Sequence, residues 1–302
     1  MPKRKYDNSN GRFPNLICPG AQKAGSSSLY VLLRQHPDIS PGSTKEIKYF
    51  NNFYHRGDAW YKQMADTGAD AKYIMDITPG YMVEEKWVQR IKDTLGDDAF
   101  FIILLRNPVD RMYSTYNMYL HGGYNPENDV KKAFDKDYKG YLSGKGKTNY
   151  FKHGLYAKQV KYFQDRFSSD KIKIVLLEDF VSDTKAVVLD ILDFLKLPVP
   201  ADMKFDIWAN KAKEETNLKK VRMKRIFVEM IPKSIRNRMP MKLEKFVRKI
   251  LHKSSDRKVL AGYEKDPALC NEYMEKYLDD IKNLEKLIGR DLSIWTDKYI
   301  TQ

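Results

Sequence analysis

The stretch from Leu16 to Leu29 reads LICPGAQKAGSSSL, and it decides the fold expected for this chain. A short apolar run at residues 16–19 predicts a strand, and the apolar spacing that follows predicts a helix over residues 28–35. A glycine turn between a strand and a helix presents free N–H groups and the positive end of the helix dipole to an anion. The stretch therefore predicts a phosphate-binding loop.

The order of residues in this loop differs from a Walker A motif. A Walker A lysine directly follows the second glycine and precedes Ser or Thr. Here Ser26 follows Gly25, and Lys23 stands two positions before that glycine. The serines can hold a phosphate, while Lys23 would approach the bridging oxygen of a phosphate–leaving-group bond from the other side. The alternative is an ordinary strand-to-helix turn with a solvated lysine.

Strands alternate with helices along the chain. Short, mostly apolar stretches predict further strands at residues 73–77, 100–105 and 172–177, of which only 100–105 is apolar throughout. Helical patterns fill the intervals at residues 84–95, 108–120, 154–167 and 184–195, and a final amphipathic helix is expected at 267–288. This order predicts an α/β fold with a mostly parallel central sheet flanked by helices, whose ligands bind at the carboxyl ends of the strands. Residues 122–148 are rich in Gly, Asn, Lys and Asp and predict a long loop or lid.

The positive charge is concentrated in one segment. The chain of 302 residues has a net charge of +14, and residues 211–258 alone hold 17 basic and five acidic residues. Three interpretations stay open for this segment: a solvated helix face, a surface that grips a polyanionic acceptor such as an acidic polysaccharide, or a contact with anionic lipid head groups or nucleic acid.

The sequence lacks the signals of disulfide-rich, metal-binding, secreted and membrane-spanning proteins. Two cysteines, Cys18 and Cys270, predict buried reduced thiols rather than a disulfide framework. The five histidines lack the spacing of a metal site, so we expect no metal. The polar N-terminus lacks the apolar region of a signal peptide, and no run of 18 apolar residues predicts a membrane span. These features predict a cytoplasmic protein.

Two segments together resemble a known family. The loop GAQKAGSSSL resembles the 5′-phosphosulfate loop of sulfotransferases that use 3′-phosphoadenosine 5′-phosphosulfate (PAPS). In that family an Arg ends a buried strand, a Ser follows eight residues later, and the pair holds the 3′-phosphate. Arg106 and Ser114 match this spacing, and a planar guanidinium fork with a hydroxyl donor suits a phosphate. Arg111, in contrast, is expected to be a surface charge of the helix.

Weaker resemblances extend along the chain. KEIKYF at 45–50 resembles an element of heparan-sulfate-type and bacterial carbohydrate sulfotransferases, and HGLY at 153–156 resembles a helix start of the family. LIGRDLSIW at 287–295 is similar to its usual C-terminal segment. DITPGY at 76–81 lacks the lysine that heparan-sulfate-type enzymes carry there. The loop at 208–213 loosely resembles the one that closes over the nucleotide.

The resemblance implies a P-loop-kinase-like sulfotransferase fold, as a single domain over residues 1–302. Its expected parts are a nucleotide-binding core at 14–210, a basic helical segment at 211–258 and a C-terminal helical segment at 259–302. Glu46 would be the catalytic base, with a cap or salt-bridge carboxylate as the alternative, and Lys23 would stabilise the leaving group. The implied nucleotide contacts are Lys23, Ala24, Gly25, Ser26, Ser27, Ser28, Arg106, Ser114, Tyr156, Asn210 and Lys211.

The expected reaction is an in-line transfer of the sulfuryl group of PAPS to a hydroxyl, with PAP as the product and without a metal. The expected acceptor is a carbohydrate or glycoconjugate, acidic ones included, and nucleic acid is not the expected partner. Peripheral membrane contact would use residues 211–258. Two alternatives are a P-loop nucleotide kinase or phosphotransferase, which needs Mg²⁺, and a non-enzymatic polyanion-binding protein.

Overall fold

The computed structural model of the protein describes residues 11–67, 70–121, 127–145, 150–207 and 265–300. One sheet in this part of the chain has the strand order β2-β3-β1-β4-β5, and every neighbouring pair is parallel. The strands are β1 (Leu16–Cys18), β2 (Ile39–Ser40), β3 (Tyr73–Ile77), β4 (Phe100–Leu105) and β5 (Ile172–Leu176). Their carboxyl ends therefore lie along one edge of the sheet.

The central strands are buried because both faces of the sheet are covered. All five residues of β3 are buried, as are residues 101–105 of β4. Continuous apolar runs suit strands that have no solvent-facing side. The predicted strands at 73–77 and 100–105 are confirmed, and β2 is an additional short strand at the edge.

Helices cover both faces of the sheet. They are α1 (Ser26–Leu33), α2 (Gly57–Ala65), α3 (Glu85–Leu95), α4 (Pro108–His121), α5 (Val130–Leu142), α6 (Tyr156–Gln164), α7 (Leu177–Ser182), α8 (Thr184–Phe194), α9 (Pro267–Glu275), α10 (Leu278–Ile288) and α11 (Ser293–Thr296). The helix predicted at 267–288 is two helices, because the chain turns at residues 276–277. Gly289 ends α10 in the left-handed conformation, which favours glycine.

The prediction of a loop over 122–148 is wrong for residues 130–142, which form α5. The Asp129 side chain caps this helix by accepting a hydrogen bond from the N–H of Lys132 (3.1 Å). Ala133 and Phe134 bury the apolar side of the helix. The few apolar residues of this helix are separated by lysines, so the sequence shows no clear helical pattern. The helix is stabilised by packing against the core rather than by the helix propensity of its residues.

The C-terminal helices return to the sheet. Helix α10 packs against α6, and α9 packs against α4. Arg290 donates two hydrogen bonds to Asp179 of α7 (2.6 and 2.7 Å). The backbone carbonyl of Trp295 accepts a hydrogen bond from the Asn107 side chain (3.0 Å). Both thiols are free and buried, as predicted.

The basic segment at 211–258 lies outside the described residues, and so do Asn210 and Lys211. The roles expected for them stay predictions, as do the domain limits and the cytoplasmic location. In the part of the chain that the structure describes, no helix combines the length and apolar character that crossing a bilayer would require.

Candidate active site

The phosphate loop connects β1 with α1 at the centre of the carboxyl edge. Gly25 precedes the helix with φ 94° and ψ 3°, a left-handed conformation that favours glycine. The N–H groups of Ser26 and Ser27 begin the helix, where the first turn leaves donors without an intrahelical acceptor. Ala24 is fully buried beneath the loop, and Lys23 has φ 70° and is half-buried. These residues form the strand-to-helix turn that the sequence predicts, and its role in binding an anion stays a prediction.

The strand order reverses between β1 and β4, so the loops that follow them open a crevice there. Arg106, directly after β4, donates a hydrogen bond from Nη1 to the carbonyl of Lys23 (3.0 Å). The structure thus brings together the predicted arginine and the predicted phosphate loop, 83 residues apart in the sequence. Ser114 is half-buried on α4.

Asn107 is a residue that the sequence analysis missed. Its side-chain oxygen accepts hydrogen bonds from the N–H groups of Val109 (3.0 Å) and Asp110 (3.1 Å), so Asn107 caps α4. Its own N–H donates to Glu178 (3.0 Å). Asn before Pro at a helix start is a recognisable capping signal, and here it fixes the backbone next to Arg106.

Arg111 corrects a sequence-based expectation, because the predicted surface charge is fully buried. Its guanidinium donates to the hydroxyl of Thr115 (3.2 Å) and to the carbonyl of Tyr150. The chain that follows α5 covers this face of α4, which the sequence of α4 alone does not reveal. Burial, together with the nearby charge of Arg111, lowers the pKa of His153 to about 3.

Tyr156 opens α6 and is fully buried. Its hydroxyl has no hydrogen-bond partner in the described part of the chain, although a buried hydroxyl is normally paired. Asp280 of α10 accepts hydrogen bonds from the N–H groups of Tyr156 (2.6 Å) and Ala157 (3.2 Å). Burial raises the pKa of the Tyr156 hydroxyl, and the charges of Arg111 and Arg106 oppose this effect. An unsatisfied hydroxyl near two guanidinium groups fits a ligand that accepts hydrogen bonds.

Glu46 lies on a loop at the end of β3, where the next two residues, Ile47 and Lys48, donate hydrogen bonds to Asp76 and Thr78. Its carboxylate pairs with Lys45 (3.3 Å) and Lys48 (3.1 Å), and its side chain is 36% exposed. Burial acts to raise the pKa of Glu46, but the charges of Lys48 and Lys45 and their hydrogen bonds outweigh it and lower the pKa. The salt-bridge alternative is therefore present. The role of Glu46 as the catalytic base stays a prediction, with which an ionised, partly accessible carboxylate is compatible.

The sequence analysis also missed two amide side chains, one on the phosphate loop and one just after the loop of Glu46. The side-chain oxygens of Gln22 and Asn51 are buried without a hydrogen-bond partner in the described residues. A Cβ placed on Gly80 would lie 3.2 Å from Asn51 Nδ2 and 3.8 Å from Gln22 Nε2, so both amides meet at this glycine. Gln22 adjoins Lys23, and Asn51 follows the loop of Glu46. Only the fold brings them together, since no motif links the two positions.

No group of three or more His, Cys, Asp or Glu side chains in the described ranges could hold a metal ion.

A family model described as a sulfotransferase domain matches residues 14–259. Human heparan sulfate glucosamine 3-O-sulfotransferase 3A1 is 28% identical over 217 residues, covering 71% of this chain and 52% of that protein. Human heparan sulfate glucosamine 3-O-sulfotransferase 6 is 30% identical over 190 residues, covering 62% of this chain and 53% of that protein. The chain thus spans about half the length of these relatives.

A solved structure confirms the predicted fold class. The crystal structure of a sulfotransferase from Alicyclobacillus acidocaldarius aligns with a TM-score of 0.64 at 24% identity, covering 94% of this chain and 99% of that one. The family model covers most of the chain, including the phosphate loop, the loop of Glu46 and Arg106. This chain belongs to the sulfotransferase domain family.

Proposed function

We propose that this protein transfers the sulfuryl group of PAPS to a hydroxyl of a carbohydrate or glycoconjugate. The observation that carries the proposal is the meeting of Arg106 with the phosphate loop at the point where the strand order reverses. One bisphosphorylated nucleotide can span this crevice, with its 5′ end on the loop and its 3′-phosphate near Arg106.

The residues present fit such a nucleotide. The turn before α1 supplies N–H donors and the charge of Lys23 for the 5′ end. Arg106 and Ser114 supply a cation and a hydroxyl for the 3′-phosphate, and the buried, unsatisfied hydroxyl of Tyr156 would donate a hydrogen bond to a ligand that reaches it. When bound, PAPS would supply an activated sulfuryl group, with PAP leaving through its 5′-phosphate oxygen.

Glu46 and Lys23 would carry the chemistry. Glu46 is ionised at neutral pH because its pKa lies below its usual value, so it can take the proton of an acceptor hydroxyl. Lys23 would neutralise the charge that develops on the leaving phosphate, which is the largest electrostatic demand of the transfer. Its left-handed backbone places it on the loop itself rather than in the helix that follows.

The acceptor is inferred from the groups near Glu46. Gln22 and Asn51 offer neutral amides that can both donate to and accept from sugar hydroxyls, while Lys45 and Lys48 would tolerate an acidic sugar. The relatives named heparan sulfate glucosamine 3-O-sulfotransferases support a carbohydrate acceptor.

Calorimetry with PAP and transfer assays with radiolabelled PAPS test the proposal, using a panel of glycans, lipids and small alcohols. We expect Lys23→Ala to abolish transfer, and Glu46→Gln to abolish transfer while PAP still binds. Lys132→Ala and Glu275→Gln, on exposed positions of α5 and α9, serve as controls. Absence of PAP binding by the parent protein, or phosphate transfer from ATP that EDTA stops, would contradict the proposal.

A further inference from the structure

The loop that carries Glu46 has an unusual backbone. Glu46 and Lys48 both have φ 61°, a left-handed conformation that few residues other than glycine adopt. Ile47 between them is buried. Two such residues separated by one position require contacts that hold them there, since other conformations are more favourable for both.

Three consecutive N–H groups of this loop are held by the end of β3. The N–H of Ile47 donates to the carboxylate of Asp76. The N–H of Lys48 donates to the Thr78 hydroxyl (3.3 Å), and the N–H of Tyr49 donates to the Tyr81 hydroxyl (2.8 Å). We call Asp76, Thr78 and Tyr81 the β3 clamp.

The β3 clamp is also bonded within itself. Thr78 donates to Oδ1 of Asp76 (2.7 Å), and Tyr81 donates to Oδ2 (2.9 Å). All three side chains are at most 1% exposed, and their polar atoms are hydrogen-bonded to one another and to the loop. They therefore act on the loop rather than on a ligand. Burial raises the pKa of Asp76 although its hydrogen bonds oppose this. The hydroxyls of the clamp thus each join Asp76 to one backbone N–H of the loop.

We propose that Asp76, Thr78 and Tyr81 are positioning residues, which aim the Glu46 carboxylate by fixing the peptides that follow it. The inference rests on the proposed function, in which Glu46 accepts the acceptor proton. With three successive N–H groups held, the Cα of Glu46 keeps its left-handed conformation and its side chain keeps one direction. Without the clamp, the loop would relax and the carboxylate would move relative to Lys23.

Tyr61 provides a matched control. Its hydroxyl also donates to Oδ2 of Asp76 (3.0 Å), and its ring is as fully buried as that of Tyr81. No hydrogen bond joins the Tyr61 hydroxyl to the described backbone of the Glu46 loop. Tyr61→Phe and Tyr81→Phe therefore remove comparable bonds to Asp76, and only Tyr81→Phe also releases a loop N–H.

We expect Tyr81→Phe to lower kcat by about 100-fold, the effect of a misplacement of about 1 Å, with the PAP dissociation constant unchanged. Tyr61→Phe should change kcat little at a similar loss of thermal stability. Thr78→Val should follow Tyr81→Phe, and Thr78→Ser, which keeps the hydroxyl, should restore kcat. The Thr78 pair tests the inference independently should Tyr81→Phe fail to fold.

Amide hydrogen exchange of the parent and variant proteins without ligand gives a readout besides activity. Exchange at residues 47–49 should accelerate in Tyr81→Phe and Thr78→Val but not in Tyr61→Phe. The acid limb of kcat/KM should move in the same two variants, because Lys48 shifts relative to Glu46. Equal kcat losses in Tyr61→Phe and Tyr81→Phe with unchanged exchange would overturn the inference. That result would not affect the proposed function, because the parent protein would still bind PAP and transfer the sulfuryl group. If the parent protein neither bound PAP nor catalysed transfer, the proposed function itself would be refuted.

Discussion

Replacement of Gly25 by alanine tests the packing beneath the phosphate loop. Gly25 has φ 94°, and a Cβ there would lie 2.9 Å from Cδ1 of Leu177 and 3.3 Å from Cδ1 of Phe180. The left-handed conformation costs an L-residue about 1–2 kcal/mol. Forcing a methyl group against a packed core costs about 1–3 kcal/mol more. We therefore expect Gly25→Ala to lower the free energy of unfolding by about 2–5 kcal/mol.

Gly289→Ala separates strain from steric overlap. Gly289 has φ 64°, and a Cβ there meets nothing within 4 Å, so only the conformational cost of about 1–2 kcal/mol applies. Urea unfolding of the two variants should show the larger loss for Gly25→Ala. Helix α7 resists the new methyl group because Phe180 is fully buried, and the loop must move instead.

The movement of the loop should also weaken PAP binding. Loss of one hydrogen bond to a charged group costs about 1.5–3 kcal/mol, which is a factor of roughly ten or more in the dissociation constant. Calorimetry should detect this for Gly25→Ala and not for Gly289→Ala. Equal destabilisation of the two variants, with unchanged PAP affinity, would refute a tightly packed loop that donates to the nucleotide.

Two further predictions concern pH. Burial raises the pKa of Asp280 to about 6, although its hydrogen bonds to the backbone of α6 oppose this. The folded state therefore binds the Asp280 proton more tightly than the unfolded state does. The stability that this proton contributes is fully present below about pH 4 and is lost as the pH rises through 6. Asp280→Asn should therefore gain up to about 3 kcal/mol relative to the parent between pH 4 and 7, as denaturant titrations would show; a constant difference contradicts this. Lys48→Met should move the acid limb of kcat/KM to higher pH, because the pKa of Glu46 rises when the cation is removed. The control Lys132→Met should leave this limb where it is. An unmoved limb in Lys48→Met would argue against Glu46 as the base.

Local sequence patterns predicted the elements whose own residues show a clear pattern. The strand at 100–105 is apolar along its length, the strand at 73–77 is apolar except for Asp76, and both appear at those limits. Strand β2 has two residues, too few for any pattern. Helix α2 buries only Tyr61 and Ala65, so its sequence shows little periodicity.

The candidate site was predictable where a motif is continuous in the sequence. The phosphate loop, Glu46 and Arg106 each follow from a short stretch. The burial of Arg111 and the clamp on the Glu46 loop did not follow, because they depend on segments that meet only in the folded chain. Thr78, for example, contacts a backbone N–H 30 residues earlier in the sequence. Such contacts depend on the order of the strands in the sheet, and that order cannot be read from a single sequence.

The bond between Asn107 and the carbonyl of Trp295 has a consequence for biosynthesis. The two residues are 188 positions apart, and a ribosome adding about 5–20 residues per second needs roughly 10–40 s to cover that distance. During this interval the nascent chain contains Arg106 and the phosphate loop but lacks Trp295, whose carbonyl holds Asn107 at the start of α4. We therefore expect the start of α4 to reach its final arrangement only after Trp295 has left the exit tunnel.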